Sequence, residues 1–384
     1  MSSRPGAAGL NKKEGVKNMT GENQKKKFII IGVVAAILVA GIGVGSYFGQ
    51  TKKGITTGTE IQGAAGLKDL KSEGYDPAAS GKEVLTIKTD TKKNCSSTPW
   101  VIAEKKGFFA EEGLNLEYTG ELTIPQQLPA VLNGTNNVTT AHINAVATYI
   151  AGGAKIKGVT IGGVDPTPDV DPKYRHMRFY ANPKLGVTTL AELIKLKNGQ
   201  PIKINGTEPN CTTFIADNAF DHSGFNRDQI QYVVFDTDTA ALQAAQQGNI
   251  DIVGVHPPFY KLAADSKLPQ IFDTADTGLG EAAGTTVYYF TEQFIAENPE
   301  AIARFVRAIK KAHQYIANPE HEEEAIKLTG DYIGQPVNAV HYYYTGKGFR
   351  DELLQPWIDD LVRNGFLKKD QLTVDDLITR EFDN

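Results

Sequence analysis

From Val84 onward, short β-rich runs alternate with helical patterns, and this alternation restricts the chain to few folds. The run VLTIKT precedes the helical pattern PWVIAEKKGFFAEEG, LNLEYT precedes IPQQLPAVLNG, and VTTAH precedes NAVATYIAGG. This order is typical of an α/β fold in which helices cover a mostly parallel sheet. We therefore predict that the outer part of the chain is an α/β fold.

A second series of the same kind follows Arg178. Its β-rich runs include PIKING, QYVVFD and IDIVGV, and the sequence after Asn298 shows apolar stripes at helical spacing. The chain has 384 residues, of which 41% are hydrophobic, so it carries enough apolar material for two cores. Two α/β lobes predict a cleft between them, and ligands of open α/β sheets lie at the carboxyl ends of the strands.

The first 81 residues have a different composition. Residues 28–48 are 21 consecutive uncharged, mostly apolar residues, which as a helix can cross a hydrocarbon layer about 30 Å thick. We predict a transmembrane anchor here, with the basic residues 1–27 in the cytoplasm and the remainder of the chain outside the cell. Residues 49–81 are rich in Gly, Thr and Lys, which predicts a flexible linker. The alternative is a signal peptide cleaved near Val44 and Ser46, which would give a secreted protein.

Charge and cysteine content exclude several classes of protein. The net charge of −5 combines +5 in residues 1–27 with −10 in the rest, and this acidic bulk argues against a nucleic-acid surface. Two cysteines cannot form a disulfide scaffold. Because no Cys-x-x-Cys occurs, local spacing offers neither a zinc ribbon nor a cysteine-ligated iron–sulfur cluster.

Each predicted lobe carries a Cys and a His at matching places. Cys95 follows the first strand and His142 follows the strand VTT, 47 residues on. Cys211 follows the strand PIKING and His256 follows the strand IDIVGV, 45 residues on. Because all four residues follow strands, we expect their side chains to face one cleft when the lobes close.

Two thiolates and two neutral imidazoles can form a tetrahedral set for a borderline-soft cation. We therefore predict that Cys95, His142, Cys211 and His256 hold a transition-metal ion or a small metal complex, with Zn, Cu, Ni and Co as the candidates. Alternatively, only some of the four contact a small organic or anionic ligand, or they have structural roles. A Cys95–Cys211 disulfide would instead lock the lobes together.

Polar residues flank both cysteines and complete the predicted ligand site: Asn94, Ser96, Ser97, Asn210 and Thr212. The hydroxyl groups can cap the following helices or, with backbone N–H groups, hold an anion. The two asparagines can support the cysteine loops.

Five segments between residues 83 and 365 occur in a specific order: TPWVIAEKKGFFAEEGLNLEY, VLNGTNNVTTAHINAVATYIAGGAKIKGV, LAELIKLKNGQPIKINGTEPNCTTFIADNAF, TAALQAAQQGNIDIVGVHPPFYKLA and TTVYYFTEQFIAENPEAIARFVRAIKKAHQYI. Together they resemble solute-binding proteins of ABC importers, of the nitrate/sulfonate/taurine and thiamine-pyrimidine precursor type. The resemblance implies a two-lobed, type II periplasmic-binding-protein fold. Lobe 2, residues 181–275, would be inserted into lobe 1, residues 82–180 and 276–384.

The same resemblance implies a receptor that delivers a small ligand to a membrane permease driven by a cytoplasmic ATPase. Sulfonates, nitrate-like anions and pyrimidines are the ligands of that family, and their sites rarely need paired Cys and His. Synthases of the thiamine pyrimidine share the lobe order and use a pyridoxal cofactor with iron, but their Cys-rich iron segment has no counterpart here. We therefore expect a binding protein that is not an enzyme and requires no cofactor.

Overall fold

The computed structural model describes residues 71, 74–93, 96–235 and 237–383, all of which belong to the unit Ile61–Asn384. The predicted cytoplasmic tail, the predicted anchor at 28–48 and most of the predicted linker lie outside the described residues. Among the residues that are described, no helix combines the length and the apolar character that a membrane crossing requires. The end of the predicted linker contacts the folded unit, since the Tyr75 hydroxyl donates a hydrogen bond to the Leu114 carbonyl.

The strands of the described chain are short. They are β1 (Leu85–Thr89), β2 (Leu114–Tyr118), β3 (Val138–His142), β4 (Ile156–Ile161), β5 (Arg178–Ala181), β6 (Ile202–Asn205), β7 (Ile230–Val233), β8 (Ile252–Val255), β9 (Gln270–Asp273) and β10 (Thr286–Thr291).

Helices follow most of the strands. They are α1 (Thr98–Lys105), α2 (Phe108–Glu111), α3 (Ile124–Leu132), α4 (Ile143–Ala151), α5 (Leu190–Lys197), α6 (Cys211–His222), α7 (Asp238–Gln247), α8 (Tyr260–Asp265), α9 (Glu292–Glu297), α10 (Pro299–Ala317), α11 (Glu322–Ile333), α12 (Asp351–Arg363) and α13 (Val374–Leu377). Short 3-10 turns lie at Pro77–Ser80, Pro172–Tyr174, Pro183–Leu185, Arg227–Gln229, Pro257–Phe259, Thr274–Thr277, Gly280–Gly284 and Pro319–His321.

The strands form two groups. A five-stranded sheet has the order β7-β6-β8-β5-β9, and we call this part lobe 2. The strand pair β1-β2 and the three-stranded sheet β3-β10-β4, together with the helices after β10, form what we call lobe 1. The chain thus enters lobe 2 between β4 and β5 and returns to lobe 1 between β9 and β10.

The prediction of a mostly parallel sheet is wrong, because the sheets are mixed. Strand β6 is parallel to β7 and β8, and β1 is parallel to β2. The first strand after each crossing has the opposite direction: β5 is antiparallel to β8 and β9, and β10 is antiparallel to β3 and β4. A chain that crosses from the other lobe enters the sheet at its cleft edge, where the other strands end. Its first strand therefore runs in the opposite direction to those strands.

The two crossing segments, residues 162–177 and 274–285, pack tightly on each other. Asp165, which is fully buried, forms an ion pair with Arg175 at 2.8 Å and accepts hydrogen bonds from the His176 backbone N–H and the Thr274 hydroxyl. A Cβ atom on Gly284 would lie 2.5 Å from the Asp165 backbone nitrogen, so only glycine allows this approach. These contacts fix the backbone at the junction of the lobes.

Apolar packing is continuous between the lobes. One core cluster extends from Ile143 and Val287 in lobe 1 through Trp357 to Phe214 and Ile252 in lobe 2. A second cluster fills lobe 1, where α10 packs against α1, and a third lies in lobe 2. Each fully buried Ile or Phe side chain contributes about 1.5–3 kcal/mol to folding, so these clusters hold the strand ends in place.

Candidate functional site

Three of the residues predicted from the strand ends meet at the junction of the lobes. His142 is the last residue of β3, His256 directly follows β8, and Cys211 is the first residue of α6, which follows β6. Because the carboxyl ends of these strands face the cleft, the three side chains converge there. The Cys211 Sγ atom lies 3.5 Å from the His256 Nε2 atom.

A fourth residue, His176, completes the group. One ligand atom from each of His142, His176, Cys211 and His256 lies within 4.8 Å of the others. Sequence reasoning missed His176, which lies in the first crossing segment just before β5. Crossing segments have no apolar period, and only the packing of Asp165 on the His176 backbone places this imidazole in the cleft.

The His176 side chain is buried, with 2% of its surface exposed, and neither ring nitrogen has a hydrogen-bond partner among the described residues. Its ring packs edge-on against His142 and His256, with ring centroids 4.9 and 5.3 Å away. Burial lowers its pKa well below the usual value, and the nearby histidines lower it further. A neutral imidazole with two unpaired nitrogens in a closed site is the form that binds a metal ion.

A fifth side chain, His341, borders the same group and was also missed. Its ring stacks on that of His176 with centroids 4.5 Å apart, and its buried Nδ1 atom has no partner among the described residues. Burial lowers the pKa of His341 as well. Four of the seven histidines of the chain therefore line one cavity. The number of histidines is the one sequence signal that could have pointed to His176 and His341.

Hydrogen bonds outside the group orient two of the imidazoles. The Nδ1 atom of His142 lies 2.9 Å from the Thr285 carbonyl, so in the neutral ring that nitrogen carries the proton and Nε2 can bind a ligand. The His256 Nδ1 atom lies 3.5 Å from an Asp238 carboxylate oxygen. A carboxylate or carbonyl behind the ring is the usual support of a metal-binding histidine.

The Cys211 thiol has a strongly altered acidity. Burial raises its pKa, but positive charge on His142 and His256 and their hydrogen bonds outweigh burial and lower the pKa to about 5. The residue also lies at the N-terminus of the 12-residue helix α6, where the helix dipole favours a thiolate. Cys211 is a free thiol, and at neutral pH it is the thiolate that metal ions bind.

These side chains surround a cavity of about 90 Å³. Its remaining wall includes Ser96, Gln127, Thr140, Thr286, Tyr288 and Tyr343. These residues belong to lobe 1, whereas Cys211 and His256 line the cavity from lobe 2, so the cavity lies in the cleft between the lobes.

The other predicted site residues have different positions. Asn94 and Cys95 lie outside the described residues, so the prediction that both thiols meet in the cleft stays a prediction. Ser96 lines the cavity, whereas Ser97 is the buried N-cap residue of α1. The Asn210 side chain caps α6 by accepting a hydrogen bond from the Thr213 backbone N–H, and the buried Thr212 follows Cys211 in that helix. Asn210 thereby fixes the start of the helix that presents Cys211.

The chain matches one family of known sequences. A sequence model of the family described as NMT1/THI5 like matches residues 94–168 and 175–323. These residues include the whole second crossing segment and the first crossing segment without residues 169–174. Among curated protein sequences, none matches the chain.

Several solved structures with a similar fold are described as solute-binding proteins. The periplasmic nitrate-binding protein NrtA from Synechocystis PCC 6803 is 13% identical, with 78% of this chain and 87% of that chain covered and a TM-score of 0.62. The periplasmic aliphatic sulphonate-binding protein SsuA from Escherichia coli is 17% identical, with coverages of 78% and 92% and a TM-score of 0.60. A ligand-binding component of an ABC-type import system from Staphylococcus aureus, solved with zinc bound, is 12% identical, with coverages of 78% and 98% and a TM-score of 0.59.

At these identities the likeness establishes the fold. It confirms the predicted periplasmic-binding-protein-like α/β fold and, with the family match, the predicted resemblance to sulfonate- and nitrate-binding proteins. The nitrate-binding and sulphonate-binding neighbours bear the names of solute-binding proteins, the class that the sequence analysis predicts for this chain.

Proposed function

The chain belongs to the NMT1/THI5-like family, and on this premise we propose that it is the extracytoplasmic ligand-binding component of an ABC importer. It captures a small ligand between its lobes and presents the closed form to a membrane permease, which a cytoplasmic ATPase drives. In this proposal the segment at 28–48 anchors the receptor in the membrane, which raises its effective concentration near the permease. In this proposal the inserted lobe is the predicted segment 181–275, extended at its start to Arg178 so that all of β5 belongs to lobe 2.

The ligand contains a late transition-metal ion, free or in a small complex, bound at His142, His176, Cys211 and His256. The observation that carries this proposal is the approach of the four ligand atoms to within 4.8 Å of one another in a buried cavity. Imidazole nitrogen and thiolate sulfur are donors suited to Zn, Cu, Ni and Co. Cys95 remains a predicted further ligand.

The charges near the cavity fit a divalent cation. The Cys211 thiolate and the Asp238 carboxylate behind His256 together carry two negative charges, and the buried histidines His176 and His341 are neutral. A bound M²⁺ ion would therefore leave the site nearly neutral, which matters because an unbalanced charge is costly in a closed cavity.

The ligand also stabilises the closed state. His142 belongs to lobe 1, Cys211 and His256 belong to lobe 2, and His176 lies on the crossing between them. An ion that bonds to all four favours the conformation in which they converge, because only that conformation provides the complete ligand set.

A second candidate ligand is a small sulfonate, nitrate-like anion or pyrimidine. It is favoured by the structural neighbours that bind sulfonate and nitrate, whereas the Staphylococcus aureus neighbour solved with zinc favours the metal. The two candidates differ in what they require, because an anion has no need of a Cys211 thiolate.

Elemental analysis and native mass spectrometry of the anaerobically purified full-length chain test the proposal. We expect one equivalent of a transition metal in the native protein and its loss in Cys211→Ser and His256→Ala. The matched control is His222→Ala, which alters an exposed histidine of the same helix as Cys211 and should retain the metal. An organic anion without metal in the native protein would establish the second candidate instead, and unchanged uptake of metals and anions in a deletion strain would refute the transport role.

A further inference from the structure

The cavity is larger than a bare metal ion needs. A single water molecule needs a cavity volume of about 10–15 Å³, whereas this cavity has a volume of about 90 Å³. We call His142, His176, Cys211 and His256 the His/Cys group. An ion bonded to the four ligand atoms of this group would fill only one end of the cavity. The rest of the space can hold several non-hydrogen atoms beside the ion.

This remaining space has hydrogen-bonding groups of its own. The Gln127 side chain is buried, with 4% of its surface exposed, and lines the cavity from the first turns of α3. Its Nε2 atom has no hydrogen-bond partner among the described residues. A buried amide donor without a partner costs about 1–3 kcal/mol, so this donor points to an acceptor that arrives with the ligand.

Thr140 provides a second group of the same kind. Its hydroxyl oxygen is buried without a partner among the described residues, and the residue lines the cavity. Thr140 stands two residues before His142 in β3, so the two side chains point to the same face of the sheet. The unpaired hydroxyl thus lies on the same wall of the cavity as one of the imidazoles.

We propose that Gln127 and Thr140 form a subsite for an oxygen-bearing ligand of the metal, so that the cargo is a small metal chelate with a carboxylate or carbonate group and not a naked ion. This inference rests on the proposed function. The His/Cys group bonds to the metal, the Gln127 amide donates to an oxygen of the chelating molecule, and the Thr140 hydroxyl donates to the same group. The chelating molecule takes a fifth position on the ion, as Ni, Co, Cu(II) and, in some sites, Zn allow.

The subsite also accounts for the mixed lining of the cavity. A site for a bare ion would be closed around its donors by apolar side chains, since extra polar groups are costly without partners. Here two unpaired polar groups stand beside the His/Cys group. A carboxylate oxygen accepts hydrogen bonds from an amide N–H and a hydroxyl at once.

Native mass spectrometry of the full-length chain in detergent tests this inference with Zn(II) alone and with Zn(II) plus carbonate, glycine or L-histidine. For the native chain we expect a ternary species that contains one zinc and one molecule of at least one of these three. In Gln127→Leu, which keeps the size of the side chain, the ternary species should decrease about tenfold or more while zinc binding persists. Thr140→Val should reduce it in the same direction.

The control Gln243→Leu removes an exposed amide of α7 and should leave the ternary species unchanged. Retained zinc binding in Gln127→Leu also shows that the variant is folded. Zinc binding without any ternary species, or a ternary species that Gln127→Leu does not diminish, would overturn this inference and leave the metal site intact. Failure of the native chain to take up zinc in any form would instead count against the proposed metal ligand itself.

Discussion

The acidity of the Cys211 thiol is set by the histidines around it. Burial alone would keep it protonated, but the histidines on both sides reverse that preference and bring its pKa to about 5. Because the thiolate is the form that binds metal, the imidazoles would have two roles in the proposed metal site: they would bind the metal, and they favour the thiolate form of Cys211.

The pH dependence of this thiolate is the first prediction. In the metal-free Cys95→Ser variant, where Cys211 is the remaining cysteine, ultraviolet thiolate absorbance should rise with a midpoint near pH 5 as pH increases. His142→Ala should raise the midpoint by about 1 unit or more, because it removes a positive charge beside the sulfur. The exposed His222→Ala control should leave the midpoint unchanged. A midpoint near the ordinary cysteine value of about 8.5 in the Cys95→Ser protein would contradict the assigned electrostatics.

Asp238 supports the site without lining it. Its carboxylate lies 3.5 Å from the Nδ1 atom of His256 and holds the ring that faces Cys211. Asp238→Asn should weaken zinc affinity about 10- to 100-fold, as measured by competition with a chelating dye, because the imidazole loses its oriented acceptor. Asp265→Asn, a change at an exposed carboxylate paired with Lys261, is the control and should bind zinc like the native chain. Equal affinities for the two variants would exclude a supporting role for Asp238.

Of the side chains around the cavity, three were predicted from the sequence and two, His176 and His341, were not. Cys211, His142 and His256 stand at strand ends, where the topology of α/β sheets puts side chains into the cleft. His176 and His341 lie in segments without any period, and their positions depend on how the lobes join. No local rule predicts that junction, because it is formed by residues far apart in sequence, such as Asp165 and Thr274.

The crossing segments are the elements that set the geometry of the site. Gly284 lets the second crossing approach the first, since a Cβ atom there would lie 2.5 Å from the Asp165 backbone nitrogen and 2.9 Å from the His176 Cβ atom. Gly284→Ala should lower the free energy of unfolding by about 1–3 kcal/mol, as measured by urea denaturation, because the crossings must separate. It should also weaken zinc binding, since His176 moves with its segment.

Gly152→Ala is the matched control for this change. Gly152 ends helix α4, and the nearest atom to its added Cβ would be a carbonyl oxygen 3.3 Å away, outside the site. We expect little change in zinc affinity for this variant. If Gly284→Ala had the same free energy of unfolding and the same zinc affinity as Gly152→Ala, the crossing segments would not be what positions His176.

Strand directions show where sequence patterns stop being informative. Alternation of β-rich and helical sequence correctly predicts the α/β class, because hydrophobic periodicity is local. It cannot predict that β5 and β10 run against their neighbours, since their direction follows from the lobe that the chain has just left. The helices after β10 were easier to predict because α10 repeats its buried residues, Ile302, Phe305 and Ile309, at helical spacing.

For the molecule as a whole, the proposed metal ion would connect side chains from both lobes and from the first crossing segment. Metal at 100 times its dissociation constant should stabilise the native chain by about 2.7 kcal/mol, because only the folded, closed form offers the complete ligand set. Thermal unfolding with and without Zn(II) measures this effect. Cys211→Ser should show at most a small shift, and His222→Ala the full one. An equal shift in Cys211→Ser and the native chain would place the metal elsewhere.

X-ray absorption spectroscopy of the zinc-loaded, full-length Cys95→Ser variant tests the central claim most directly, because it reports the atoms bonded to the metal. We predict imidazole nitrogens at about 2.0–2.1 Å and one sulfur at about 2.3 Å, which the Cys211 thiolate alone can supply in that variant. A zinc shell of nitrogen and oxygen without sulfur, or no bound zinc, would contradict a metal-binding receptor built on Cys211 and the histidines of the cleft.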